Sequence, residues 1–138
     1  MTRFEKIILS ITGGSHLSVH ALMLALPSLI PVIRNEFDVG LSTLGFVVSI
    51  SGFMFGLGAI PAGWAEKRFG GRQLLLIYQA GSSISALLVA LSGSFAMMVV
   101  GLSMMGFFCS IYHPAGLTLI SHRVKSLTRG MAIHGIFG

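Results

Sequence analysis

A chain of 138 residues that is 54% hydrophobic and 9% charged, with a mean hydropathy of +0.88, is not an ordinary soluble domain, in which about a quarter of residues carry charge. Its net charge of +5 comes from basic residues gathered in a few short segments. That distribution orients a membrane protein toward anionic lipid and requires no nucleic-acid partner. The single cysteine, Cys109, excludes an internal disulfide and reads as a small packing residue.

In chain order, Ile7 to Ile33 and Val39 to Ala65 are blocks of 27 residues without a formal charge. As helices each extends about 40 Å, enough to cross a hydrocarbon core of roughly 30 Å with some tilt. Gln73 to Ser121 is a third uncharged block; as one helix it would measure more than twice the core, so it folds back once. Ser92, Gly93 and Ser94 near its middle supply the turn. Four spans follow, at about 7–33, 42–64, 73–92 and 96–120, with a fifth starting near 130–138. A helix satisfies its backbone groups within its own segment, and the alternation of a membrane β-strand is absent. The predicted class is an all-α, polytopic membrane protein.

Four spans place residues 1–6, 65–72 and 121–129 on one side. These hold Arg3, Lys6, Lys67, Arg68, Arg72, Arg123, Lys125 and Arg129, eight of the nine basic residues; the other side holds Arg34 with Glu36 and Asp38. The positive-inside rule then puts the N-terminus and the 65–72 segment in the cytoplasm. Arg3 and Lys6 before an apolar run resemble a secretory signal, but that run is too long for one.

In the second span, Gly45, Ser49, Gly52, Gly56, Ala59 and Gly63 recur at steps of three and four. Such a stripe predicts close packing of this helix on its neighbours, since packing drives helix association in lipid. Pro27, Pro31, Pro61 and Pro114 each remove a backbone hydrogen bond and are candidate kinks.

Polar groups within the spans are the candidates for function. No Asp or Glu lies in a complete span. His16 and His20 stand four apart on one face of span 1, and His113 follows Tyr112 in span 4. Ser103, Gly106, Ser110 and His113 form a small, polar stripe ending at Pro114. An ionisable group inside the membrane usually faces protein or a water-filled cavity, and histidine exchanges protons near neutral pH. His16, His20, Ser110, Tyr112 and His113 are therefore candidates for a cavity, substrate or proton pathway. The alternative is neutral histidines hydrogen-bonded between helices. No Cys, Asp or Glu accompanies the histidines at ligand spacing, so the sequence predicts no metal site and no cofactor. Motifs for a metalloprotease, a phosphate loop or a nucleophile elbow are absent, and no enzyme is predicted.

The segment Gly63–Arg72, GWAEKRFGGR, reads as a charged, turn-like link between spans 2 and 3. It resembles the loop motif of the major facilitator superfamily, G-x-x-x-D-R-x-G-R-R, between the second and third helices. Gly63, Arg68, Gly70 and Arg72 match. Lys67 stands in place of the Asp and Gly71 in place of an Arg; Glu66 lies one residue early, about 100° around a helix. The resemblance implies a gating role for Gly63, Glu66, Arg68, Gly70 and Arg72, with Gly63 permitting close packing and Gly70 a tight turn. HALMLALPSLIPVIRNEF is similar to the family's first helix and outer loop. YHPAGLTLIS is similar to the fourth helix of fosmidomycin-resistance-type efflux proteins, where a His-Pro pair recurs. Leu102 occupies the place of an Arg often found four residues before a Gly, here Gly106.

That resemblance implies the first repeat, one helix of the second and a little more of a six-helix half, with helices 1 and 4 lining a central cavity. It implies a secondary transporter of a small molecule, working by alternating access, with proton-coupled efflux as a finer form. The expected setting is a plasma or inner membrane, and the expected partners are the lipid bilayer and the remaining helices of a longer transporter. Gly138 falls within an apolar segment, so the chain is expected to be an N-terminal fragment. Two alternatives stand beside this: a complete four-helix exporter acting as a dimer, and a membrane scaffold or assembly protein that does not transport.

Overall fold

The computed structural model describes residues 1–138 as six helices and no strands: α1 Arg3–Phe37, α2 Leu41–Phe69, α3 Gly71–Ala90, α4 Phe95–Ser110, α5 Tyr112–Arg123 and α6 Leu127–Gly135. Four helical segments are long and apolar enough to cross a membrane, α4 and α5 together forming the fourth, Phe95–Arg123. Side chains such as Phe46, Phe53, Ile60, Trp64, Leu76 and Ile84 are exposed along their outer faces, as a surface facing lipid or further helices requires. The chain is an integral membrane protein.

Helix α1 starts in a capping box. Thr2 Oγ1 accepts from the Glu5 N–H (3.2 Å), and Glu5 Oε2 accepts from the Thr2 N–H (2.7 Å), so the box satisfies orphan donors of the first turn. Helix α1 continues through Pro27 and Pro31, and α2 through Pro61, without interruption. Pro114 acts differently. It offers no N–H and its ring collides with the carbonyl four residues back, here Ser110, and the helix breaks at Ile111. The Ile111 N–H turns to the Phe108 carbonyl (3.2 Å), and Ala115 N–H bonded to the Ile111 carbonyl (3.4 Å) resumes the spiral. The span expected at 96–120 is thus two helices meeting at a bend.

The link between spans 2 and 3 is shorter than its sequence suggests. Helix α2 runs through Gly63–Phe69, Gly70 alone makes the turn, and α3 starts at Gly71. Charge marks where the chain leaves the hydrocarbon, not where its helix ends: Lys67 and Arg68 occupy the last turn of α2, where cations complement the helix dipole. The turn at the other link matches expectation, with Ser92, Gly93 and Ser94 between α3 and α4 and the Ser94 hydroxyl accepting from the Met97 N–H (3.3 Å). The segment 121–129 is mostly helical, and α6 begins at Leu127 rather than near residue 130.

Helix α4 packs between α2 and α3, α5 lies on α1 and α3, and α6 lies on α1. One core joins α1 through α5 and includes Val19, Leu44, Leu74, Tyr78, Leu102 and Tyr112, with Cys109 fully enclosed, while Ile133 of α6 packs on a smaller cluster of Leu9, Ile120 and Val124. The packed face of α2 is not the small-residue stripe expected. Gly45, Gly52, Gly56 and Gly63 have no atom within 4 Å of where a side chain would start, and Ser49 and Ala59 are exposed. The buried face is Leu44, Val47, Ser51, Gly58 and Ala62. Gly63 therefore does not serve close packing within this chain.

Candidate functional site: a histidine and tyrosine cluster between α1, α5 and α6

His16 and His20 lie one helical turn apart, near the midpoint of the charge-free block of α1, so their rings project to one side. The bend at Ile111 starts α5 at Tyr112 and His113 and turns both toward α1. The His20 and His16 Nε2 atoms are 3.1 Å apart. The His113 ring stands edge-on to His16 (centroids 5.5 Å apart, planes at 82°) and to Phe55 of α2 (5.9 Å, 84°). Nitrogen atoms of His16, His20 and His113 lie within 4.8 Å of one another. His16 is buried, His20 and His113 half-buried.

Two tyrosines tie this cluster to the backbone. The fully buried Tyr112 hydroxyl donates to the Thr12 carbonyl (2.6 Å), and the Tyr78 hydroxyl of α3 donates to the Ser15 carbonyl (3.1 Å). Both acceptors lie in α1, within the four residues before His16, so the tyrosines fix its rotation and height. A buried tyrosine needs such a partner for its O–H.

His134 of α6 completes the group, and the sequence reading passed over it. Its ring stacks on His16 (4.3 Å, 11°), its carbonyl lies 3.4 Å from His16 Nδ1, and its Nδ1 lies 3.4 Å from the Tyr112 hydroxyl. The usable signal was the one applied to the other histidines, an ionisable residue in an apolar segment. Its position in the short last segment hid it.

Of the predicted pathway residues, His16, His20, Tyr112 and His113 come together. Ser110 does not join them. It is buried between α4 and α2, where its hydroxyl donates to the Phe107 carbonyl (2.6 Å) and contacts Gly58. Gly63, Glu66, Arg68, Gly70 and Arg72 stay at the α2–α3 turn. There the Arg68 guanidinium lies over the rings of Trp64 (5.8 Å) and Phe69 (5.7 Å), a cation–π arrangement. Arg72, Arg123 and Phe4 border one groove of about 600 Å³ between α1, α3 and α5. The basic segments at the start of α1, the α2–α3 turn and the end of α5 thus share one end of the bundle.

At that same end, Glu5 Oε1 accepts from the Lys125 N–H (2.9 Å), joining the start of α1 to the α5–α6 link. This bond, then the one from Thr2, holds the Glu5 carboxyl below the usual carboxylate range.

Four membrane-length helical segments with polar side chains turned inward at mid-height define a polytopic helical membrane protein. The profile of the Major Facilitator Superfamily matches residues 11–138, and the chain belongs to that family. It is 29% identical over 119 residues to the MFS-type transporter ppzB of Metarhizium majus (strain ARSEF 297), covering 83% of this chain and 26% of that protein. It is 31% identical over 110 residues to the tetracenomycin C resistance and export protein of Streptomyces glaucescens, covering 75% of this chain and 20% of that protein. The chain thus spans about a quarter or less of the length of the curated relatives it matches. No solved structure matches it.

Proposed function

We propose that this chain contributes the first four transmembrane spans, and the start of a fifth, to the N-terminal six-helix half of a secondary transporter that moves a small molecule by alternating access. The observation that carries this reading is the convergence of His16, His20, His113 and Tyr112 from two different membrane helices, inside a chain of this family. Polar side chains gathered at one height between helices of such a half suit a midplane binding site. Ser110 supports the site indirectly, through the α2–α4 contact beside the bend.

Export is the favoured direction: one relative is named a resistance and export protein, and the His113-Pro114 pair resembles the fosmidomycin-resistance-type efflux subgroup. The asymmetry of basic residues supports a cytoplasmic N-terminus in a plasma or inner membrane. In this frame the one-residue turn at Gly70, with Arg68 and Arg72 beside it, is the gating element, and the remaining helices of the transporter are its partners. The four-helix dimeric exporter loses its support, because the carboxylate it depends on is missing from these spans. Proton coupling is the finer reading, resting on the 3.1 Å approach of His16 and His20.

The test is export of a panel of small molecules from efflux-deficient cells expressing the whole protein. Wild type is expected to lower accumulation of at least one compound, with that effect lost in His113→Ala and in Arg68→Ala at unchanged expression. A compound exported equally by both variants overturns the assignment of these residues. An unchanged pH profile of transport in the variant lacking His16, His20 and His113 removes proton coupling.

A further inference from the structure

We propose that His16, His20 and His113 form a three-histidine site for a divalent transition-metal ion of the zinc, nickel or cobalt class. Sequence spacing supplied only the His16–His20 pair; the fold adds the third imidazole across 93 residues of chain, so that ligand nitrogens of all three lie within 4.8 Å of one another.

The distances suit one ion. Two imidazole nitrogens bound to tetrahedral zinc at about 2.0–2.1 Å stand roughly 3.3 Å apart, and His16 Nε2 and His20 Nε2 are already separated by 3.1 Å. The widest separation in the set exceeds that ideal by about 1.5 Å, which small side-chain rotations about staggered torsions can close. Two histidines four apart on a helix are a recurrent metal-binding pair because they share one face. The third comes from the bend before Pro114, where the ring is held edge-on by Phe55 (5.9 Å) and Tyr112 (5.4 Å). Its position is therefore set by packing as well as by torsions.

The support around the ligands is also of the kind a metal needs. A ligating histidine normally donates its other ring N–H to a carbonyl or carboxylate, which fixes the tautomer and raises basicity at the binding nitrogen. His16 Nδ1 faces the His134 carbonyl at 3.4 Å, leaving its Nε2 lone pair turned toward His20. Imidazole selects zinc, nickel, cobalt and copper over magnesium and calcium, which prefer oxygen donors. Three neutral ligands leave the ionic charge uncompensated. Three-histidine zinc sites take an anion or hydroxide at an open fourth position; Gly138 packs against His16 and His20, so that ligand would approach from the half-buried side of His113.

This site goes beyond the transport reading and is tested without it, by binding to the unenergised protein. The full-length protein, purified through a tag without histidine, is titrated with Co²⁺ and followed by visible absorption, with Zn²⁺ heats measured in parallel. One equivalent of Co²⁺ with ligand-field bands is expected, displaced by Zn²⁺. His20→Ala and His113→Ala are each expected to weaken binding by about tenfold or more, since even loss of an outer partner costs 10–100-fold. His122→Ala, an exposed histidine outside the cluster, is expected to bind as wild type. His134→Ala keeps the backbone carbonyl and is expected to stay within a few-fold. Absence of saturable binding to the wild-type protein overturns the site whatever the variants do. Binding lost in His134→Ala but kept in a folded His113→Gln overturns the ligand set. Either failure leaves export intact as a separate question.

Discussion

Ser51 and Gly106 set the distance between α2 and α4. The Ser51 hydroxyl donates to the Leu102 carbonyl (3.0 Å), and a side chain on Gly106 would fall directly on the Ser51 carbonyl. One turn along, Ser110 meets Gly58 in the same seam. The two helices approach backbone to backbone, so the seam is a close contact lying directly before the bend that carries Tyr112 and His113.

Gly106→Ala is expected to destabilise the fold by about 3 kcal/mol, the upper end for overpacking, because the obstructing atom belongs to main chain and cannot rotate away. Gly52→Ala and Gly56→Ala, on the outward stripe where this chain leaves open space, are expected to disturb no contact within this bundle and to gain up to about 1 kcal/mol from helix propensity, unless a further helix of the transporter packs on that stripe. Thermal or detergent-induced unfolding of the three variants checks this. No loss at 106 would mean that the α2–α4 seam has been placed on the wrong face, and an equal loss at 52 would mean that a further helix packs on the outward stripe.

That contrast shows which information the sequence carried. The charge-free blocks located the four spans, because burying charge in hydrocarbon is costly whatever the tertiary fold. They did not locate the packed face of α2: lipid and protein neighbours are both apolar, so Gly52 and Gly58 look alike in one dimension. The residues differ by six positions, about 120° around the helix, and only the neighbouring helix decides between them. His16 and His20 were legible as a pair through their i, i+4 spacing. That His113 joins them, that His134 stacks on them and that Ser110 does not are consequences of the bend at Ile111 and of α6 folding back on α1, which no local pattern encodes.

Gly70 supplies a second test, of backbone conformation alone. Its φ of 78° and ψ of 155° lie in a region populated almost only by glycine, while nothing stands within 4 Å of a would-be side chain. Gly70→Ala is therefore expected to cost about 1–3 kcal/mol without any steric contact, read as a fall in the unfolding midpoint. Gly70→Asn is expected to fare no better, since asparagine tolerates the left-handed helical region near ψ 47° and not this one. A stable Gly70→Ala protein would show that the one-residue turn opens into a longer loop.

Glu5 gives the bundle a pH dependence whose sign follows from its hydrogen bonds. The Lys125 and Thr2 N–H groups hold its carboxyl below the ordinary value, near 4.3 for an unperturbed glutamate. A group whose pKa is depressed in the folded state contributes stability that is complete above the unfolded pKa and disappears as pH falls through the lowered folded value. Wild-type protein is thus expected to exceed Glu5→Ala in unfolding midpoint at pH 6–7, with the gap narrowing as pH drops below about 4. Part of the gap persists in acid, because Ala also removes the capping contact. Glu5→Gln separates the terms: it retains an acceptor for the Lys125 N–H but no charge, so its deficit is expected at neutral pH and is expected to vanish in acid. Hydrogen exchange at the Lys125 amide, faster in Glu5→Ala than in wild type, reports the same bond directly. A pH-independent gap between wild type and Glu5→Gln would show that the carboxylate's charge contributes nothing to holding α1 against the α5–α6 link.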